Sequence, residues 1–257
     1  MNNTEYFKKA KAWLLREKYH GQETEKFFVD VSRLENGEPV DYVIGSRPFL
    51  DCNIDLSYRP LIPREETEFW VKNAISKIKE KTPQNQSINI LDIFSGSGCI
   101  GIALLKHLPL AQVDFADFST DAIQQIQNNL EKNKITKDRT EIFHSDVFKD
   151  IPPKHYDFIF ANPPYIPEKN FESLDISVRD FEPTEALVGG EDGLFFIRKL
   201  IDAAPSFLTP GGKLFIEFDT EQKNQIKKIL QKLPHFSYHF EKDQFGLFRT
   251  VQLSLQK

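Results

Sequence analysis

From residue 88 to residue 253, short apolar runs alternate with helical patterns, and this alternation constrains the fold more than any other feature of the chain. Strand patterns at 88–94, 112–117, 140–144, 158–161, 213–218, 237–242 and 248–253 bracket helical patterns at 99–107, 120–134, 193–207 and 222–231. A strand that returns parallel to its neighbour needs a crossover of helix length, and such crossovers are right-handed. The spacing therefore predicts an α/β fold with a doubly wound, mostly parallel sheet of seven strands. The last two strands leave no room for a helix between them, so one of them is expected to run antiparallel.

Upstream, Tyr6, Phe7, Ala10, Trp13 and Leu14 recur at helical spacing, and Phe27, Phe28, Val31 and Leu34 repeat the pattern. Two short helices ending near Asn36-Gly37 follow. Residues 40–62 read as extended: Tyr42-Val43-Ile44, a turn around Gly45-Ser46-Arg47-Pro48, then alternation through Asn53-Ile54-Asp55-Leu56. Residues 67–81 read as a helix with Val71, Ala74, Ile75 and Ile78 on one face, followed by a polar linker at 81–87. The expected organisation is a short helical head at 1–36, a β-hairpin and linker helix at 37–82, and the α/β body at 83–257.

Composition narrows the function. Lys plus Arg total 33 against 38 Asp plus Glu, a formal charge of −5, so the chain lacks the basic excess that drives non-specific nucleic-acid binding. Two cysteines, Cys52 and Cys99, cannot make a disulfide framework or a four-ligand zinc site, and the six histidines show no metal spacing. No metal is expected. The apolar stretch at 99–105 is far too short to cross a bilayer, and the charged first twenty residues lack the apolar core of a signal peptide. A reduced, cytoplasmic, monomeric protein is expected.

Two motifs carry chemistry. Asp92-Ile93-Phe94-Ser95-Gly96-Ser97-Gly98-Cys99-Ile100-Gly101 follows a strand and opens a helix, and it satisfies G-x-G-x-x-G. Glycines there allow a tight turn and close approach of backbone N–H groups to a ligand. Asp117, 19 residues after Gly98 at the end of the next strand, stands where a carboxylate grips ribose hydroxyls. Asp146, at the end of the third strand, is placed to accept from an adenine amine, with Val147 and Phe148 against the ring. These residues point to a nucleotide-bearing ligand without separating a nicotinamide dinucleotide from S-adenosylmethionine.

The second motif, Asn162-Pro163-Pro164-Tyr165, closes the apolar strand ending at Ala161, and its chance occurrence at this composition is about one in a thousand. A planar amide or aromatic amine is a poor nucleophile, because its lone pair is delocalised. Methylating it requires its NH₂ to be held with the lone pair facing the methyl carbon. The Asn162 side-chain carbonyl and the Pro163 backbone carbonyl can each accept one N–H. Pro164 fixes φ and adds no competing donor, and Tyr165 offers a flat face for stacking. Catalysis by Asn162, Pro163 and Tyr165 is then mainly positioning.

These residues resemble the HemK/PrmC-type protein-glutamine methyltransferases, which methylate the glutamine of the Gly-Gly-Gln loop in peptide-chain release factors. The likeness runs from Gly37 onward. It includes Gly37-Glu-Pro-Val-x-Tyr42, Ile62-Pro-Arg-x-Glu-Thr-Glu68, the Gly96/Gly98 loop, Asp117 and Asn162-Pro-Pro-Tyr-Ile-Pro167. Beyond these come Val178-Arg-Asp-Phe-Glu-Pro183, Ala186-Leu-Val-Gly-Gly190-Glu-Asp-Gly193, Pro210-Gly-Gly212 and Asp243-x-x-Gly246-x-x-Arg249. The resemblance implies a Rossmann-like methyltransferase domain that binds S-adenosylmethionine through Phe94, Ser95, Gly96, Ser97, Gly98, Asp117, Val147 and Asn162. It implies that Asn162, Pro163, Pro164 and Tyr165 hold the substrate glutamine, with Arg64 and Glu182 shaping the acceptor entrance.

Three positions depart from the family pattern: Phe94 replaces the loop's usual first glycine, Glu65 a proline, and Val147 a common tryptophan beside the adenine. The 36 residues before Gly37 are also fewer than the family's helical N-terminal domain, which helps dock the release factor. Two other readings stay open at this level, amine methylation of a nucleobase in RNA or DNA and non-catalytic S-adenosylmethionine binding.

Overall fold

The computed structural model describes residues 3–83 and 85–256. Helices α1 (Asn3–Glu17), α2 (Glu25–Glu35) and α3 (Val40–Ile44) close a small core around Leu14, Phe27, Val31 and Val43. Strands β1 (Ser46–Phe49) and β2 (Cys52–Asp55) form an antiparallel hairpin, followed by α4 (Glu65–Lys81). The linker expected at 81–87 includes Gln84, which lies outside the described residues.

The extended reading of 40–62 needs correction. Val40–Ile44 is a helix, started by Pro39 at φ −56° and stopped by Gly45 in the left-handed region at φ +91°. Its β-branched residues suggested a strand, but Val40, Tyr42 and Val43 are buried, and packing overrides weak local preference. The expected turn at 45–48 is instead mostly strand. The hairpin turns at Leu50-Asp51, where φ is +43° and +62°. Two left-handed central residues define a type I′ turn, which ordinarily calls for Asn-Gly. Leu50 is held there by tertiary contacts: its N–H donates to Glu68 Oε1 at 2.8 Å, and its carbonyl lies 3.0 Å from His107 Nε2.

The body follows the predicted alternation: β3 (Ile88–Ile93), α5 (Cys99–His107), β4 (Ala111–Asp117), α6 (Thr120–Lys132), β5 (Ile142–His144) and β6 (Tyr156–Ala161). An irregular excursion containing α7 (Ile176–Arg179) leads to α8 (Phe195–Ala203), β7 (Leu208–Glu217), α9 (Lys223–Leu230), β8 (Phe236–Lys242) and β9 (Phe248–Leu255). Helix α8 is shorter than the expected 193–207, because Gly193 has φ +73° and Pro205 turns the chain into a 3-10 segment at Ala204–Ser206.

The seven strands form one sheet in the order β5-β4-β3-β6-β7-β9-β8, with only β9 antiparallel to its neighbours. One face carries α4, α5, α6 and the hairpin over Ile90, Val113, Phe115 and Phe160, and the other carries α8 and α9 over Leu91, Ile159 and Ile216. Burial on both faces explains why the strands read as continuous apolar runs.

The chain leaves β3 toward β4 on one side and β6 toward β7 on the other, so the strand order reverses between β3 and β6. Ligand crevices in open α/β sheets form at such a point, beyond the carboxyl ends of the strands. Register sets what stands there. Ile93 pairs with Ala161 and Ala116, Asp117 with His144, and Ala161 with Ile216. Phe94, Asp117, Asn162 and Glu217 therefore reach one edge of the sheet together.

Candidate functional site

A cavity of about 530 Å³ opens at that edge. Phe94, Ser95, Gly96, Ser97, Asp117, Asp146, Val147, Asn162 and Pro164 line it, joined by Arg64 and Thr67 from the start of α4. Gly98, Pro163 and Tyr165 are not among the lining residues. The volume falls in the range of pockets that enclose a nucleotide-sized ligand.

The glycine loop is built for close approach. Gly96 and Gly98 have φ of +52° and +76°, and the Gly98 N–H donates to the Ser95 carbonyl at 2.7 Å. Gly101 has a packing role, since a Cβ there would lie 2.2 Å from the Phe115 ring. The buried Ser95 hydroxyl faces inward, donating to the Asp92 carbonyl at 2.7 Å and accepting the Ala116 N–H at 3.0 Å. Asp117 accepts the Gly96 N–H at 2.8 Å on Oδ2 and the Ser119 N–H at 2.9 Å on Oδ1. Each oxygen keeps a second lone pair for a ligand hydroxyl. Burial pushes the Asp117 carboxyl up from its ordinary value, and those backbone donors pull it back.

The departures from the family pattern acquire a physical meaning here. Phe94 and Val147 both sit in the left-handed region, at φ +59° and +55°. For non-glycine residues this conformation costs about 1–2 kcal/mol each. Phe94 packs edge-on against Phe196 with ring centroids 5.2 Å apart. The turn holding Val147 is pinned by Ser145, whose hydroxyl donates to the Val147 carbonyl at 2.8 Å and accepts the Asp150 N–H at 3.0 Å. Asp146 is exposed at the rim, 3.5 Å from Lys199 Nζ.

The Asn162-Pro163-Pro164-Tyr165 loop is clamped from behind. Gln222 Nε2 donates to the Tyr165 carbonyl at 2.8 Å, and Ile166 exchanges backbone bonds of 2.9 Å with Leu187 and Gly189. A Cβ on Gly189 would lie 2.4 Å from the Pro164 carbonyl oxygen, and one on Gly193 would lie 2.2 Å from that of Tyr165. The Gly189-Gly190-Glu191-Asp192-Gly193 segment is thus the surface on which the loop rests. The Pro163 carbonyl and Asn162 Oδ1 accept no hydrogen bond among the described residues.

Arg64, which lines the cavity, forms an ion pair with the buried Glu182, whose Oε2 also accepts the Ile62 N–H at 3.0 Å. Burial raises the Glu182 carboxyl, with Arg64 opposing it. Sequence reasoning gave no role to Glu217, Thr67 or Trp70, which join behind Asn162. The available signal was Glu217 itself, a carboxylate within the apolar run Leu214-Phe215-Ile216-Glu217-Phe218. Among the described residues, no group of three or more His, Cys, Asp or Glu could hold a metal ion.

The Rossmann-like sheet and its crevice, together with the matches that follow, mark a methyltransferase of the S-adenosylmethionine-dependent class. Residues 75–179 match the family model described as "Methyltransferase small domain". The fold is shared with a methyltransferase from Pyrococcus furiosus, with a TM-score of 0.57 and 19% identity over 80% of this chain and 89% of that one. The release factor glutamine methyltransferase of Geobacter sulfurreducens is 36% identical over 223 residues, covering 86% of this chain and 75% of that relative. That of Rhodopirellula baltica is 36% identical over 229 residues, covering 88% and 76%. The chain belongs to the release factor glutamine methyltransferase family.

Proposed function

We propose that the protein transfers a methyl group from S-adenosylmethionine to the side-chain amide nitrogen of the glutamine in the Gly-Gly-Gln loop of a peptide-chain release factor. The observation that carries this reading is the pair of carbonyl oxygens without a partner among the described residues, Asn162 Oδ1 and Pro163 O, where β6 ends beside the glycine loop. The relatives' printed names supply the acceptor.

The cavity's residues fit the cofactor. Its size, the left-handed Gly96/Gly98 turn and the spare lone pairs of Asp117 suit a ribose-bearing ligand, and Val147 offers an apolar wall for a base. When bound, S-adenosylmethionine supplies a methyl already activated by a positively charged sulfonium. The chain therefore needs no strong base: as the N–C bond forms the donor's S–C bond breaks to leave a neutral thioether, and the methylated nitrogen, now acidic, gives its extra proton to water. Asn162 and Pro163 accept the two N–H groups of the substrate amide and fix the direction of its nitrogen lone pair. The clamped loop keeps them there, and the Tyr165 hydroxyl is tied back to Glu217 Oε1 at 3.3 Å. Pre-positioning of this kind is worth roughly 7–11 kcal/mol in favourable cases.

Among the described residues no helix is long and apolar enough to cross a membrane. The net charge of −5 disfavours a nucleic-acid acceptor. Labelled-methyl transfer from S-adenosylmethionine, run side by side on release factor and on RNA and DNA, tests the reading. Label in the release factor is expected. Label in nucleic acid alone would overturn it.

A further inference from the structure

Asn162 can serve an incoming amide only if its carboxamide presents oxygen, not nitrogen, to the cavity. A side-chain amide has two orientations of nearly equal shape, so something must choose between them. Glu217, 1% exposed at the end of β7, accepts the Thr67 hydroxyl at 2.6 Å and the Trp70 indole N–H at 2.7 Å, both on Oε2. Thr67 has one hydroxyl proton, and that proton is committed to the carboxylate. Toward Asn162 Nδ2, 3.4 Å away, the Thr67 oxygen is therefore an acceptor only. The reverse amide orientation would set two oxygens lone pair to lone pair and turn an NH₂ donor toward the substrate.

We propose that Thr67 and Glu217 are positioning residues that lock the Asn162 carboxamide with Nδ2 toward Thr67 and Oδ1 free for the acceptor. The relay keeps its direction whether or not Glu217 carries a proton. Oε2 already takes two donors, so a proton would sit on Oε1, beside Tyr165. Thr67 belongs to the Ile62–Glu68 segment at the start of α4, and Glu217 is 150 residues away along the chain. This gives that segment a task beyond packing. The inference rests on the reading of Asn162 as the acceptor of the substrate N–H.

Two readouts test it in Thr67→Val, which keeps the shape and removes the hydroxyl, and in Thr67→Ser, which restores the hydroxyl. In the ligand-free protein, hydrogen exchange of the Asn162 side-chain NH₂ is followed by NMR, the signal being assigned by its loss in Asn162→Ala. In the full assay, kcat on release factor is compared with cofactor affinity. Thr67→Val is expected to speed the exchange and lower kcat, each about tenfold, the scale of one net hydrogen bond, with cofactor Kd unchanged. Thr67→Ser is expected within about threefold of wild type on both measures, well inside the effect of losing the bond. Unchanged exchange or unchanged kcat in Thr67→Val overturns the proposal, as does a Thr67→Ser protein impaired as far as Thr67→Val. Should wild type transfer no methyl to release factor, the functional reading fails, while the NH₂ exchange still decides the orientation.

Discussion

Asn162 and Asp117 stand about the same cavity with different tasks, and their substitutions should separate. Asn162→Ala removes an acceptor for the substrate amide and is expected to lower kcat at least ~100-fold, the scale seen when one transition-state hydrogen bond is deleted. Cofactor Kd, measured by calorimetry, should change little. Asp117→Ala removes the carboxylate that holds the Gly96 and Ser119 N–H groups and is expected to raise cofactor Kd about tenfold or more. An Asn162→Ala enzyme with near-normal kcat contradicts the assigned role. Asp92 carries a separate prediction. It is fully buried, its Oδ2 accepts the Gly101 N–H at 2.8 Å, and its Oδ1 has no partner among the described residues. Burial raises its carboxyl well above the ordinary aspartate value. A native pKa above the unfolded one gives stability that is complete in acid and is lost as pH rises through the native value. Asp92→Asn has no such titration, so its Tm relative to wild type should climb with pH across that window. A gap that is flat, or that shrinks, refutes this.

Among elements, the excursion between β6 and α8 governs the catalytic loop. Gly189 leaves no room for a side chain beside Pro164. Gly189→Ala should destabilise the protein by about 1–3 kcal/mol in chemical denaturation and lower turnover far more than it weakens cofactor binding. Wild-type stability together with wild-type turnover would show that the loop does not rest on this segment. Other elements mark the limit of what sequence can convey. The alternation of strands and helices was legible because a sheet buried on both faces imposes a regular apolar rhythm. The Leu50-Asp51 turn was not, because Glu68 and His107, distant in sequence, hold a leucine in a left-handed turn that local chemistry disfavours. The glycine loop and Asn162-Pro163-Pro164-Tyr165 could be read because each is contiguous. The Asn162–Thr67–Glu217 chain could not, since its members come from the loop after β6, from α4 and from β7.

Across the whole molecule, strand register does the assembling. Parallel pairing carries the ends of β3, β4, β6 and β7 to one edge, and residues from seven separate stretches meet in one cavity there. The sheet tolerates a carboxylate at each of three positions, Asp92, Asp117 and Glu217, because backbone or side-chain donors meet each of them there. Two left-handed non-glycine residues, Phe94 and Val147, border the same cavity, strain of the kind that surrounding packing sustains at functional sites. The measurement closest to the central claim is tandem mass spectrometry of a release factor after incubation with the enzyme and S-adenosylmethionine. The account predicts one added methyl, located on the glutamine of the Gly-Gly-Gln loop and missing when Asn162→Ala replaces the wild-type enzyme. An unmodified glutamine, or a methyl placed on any other residue, would contradict it.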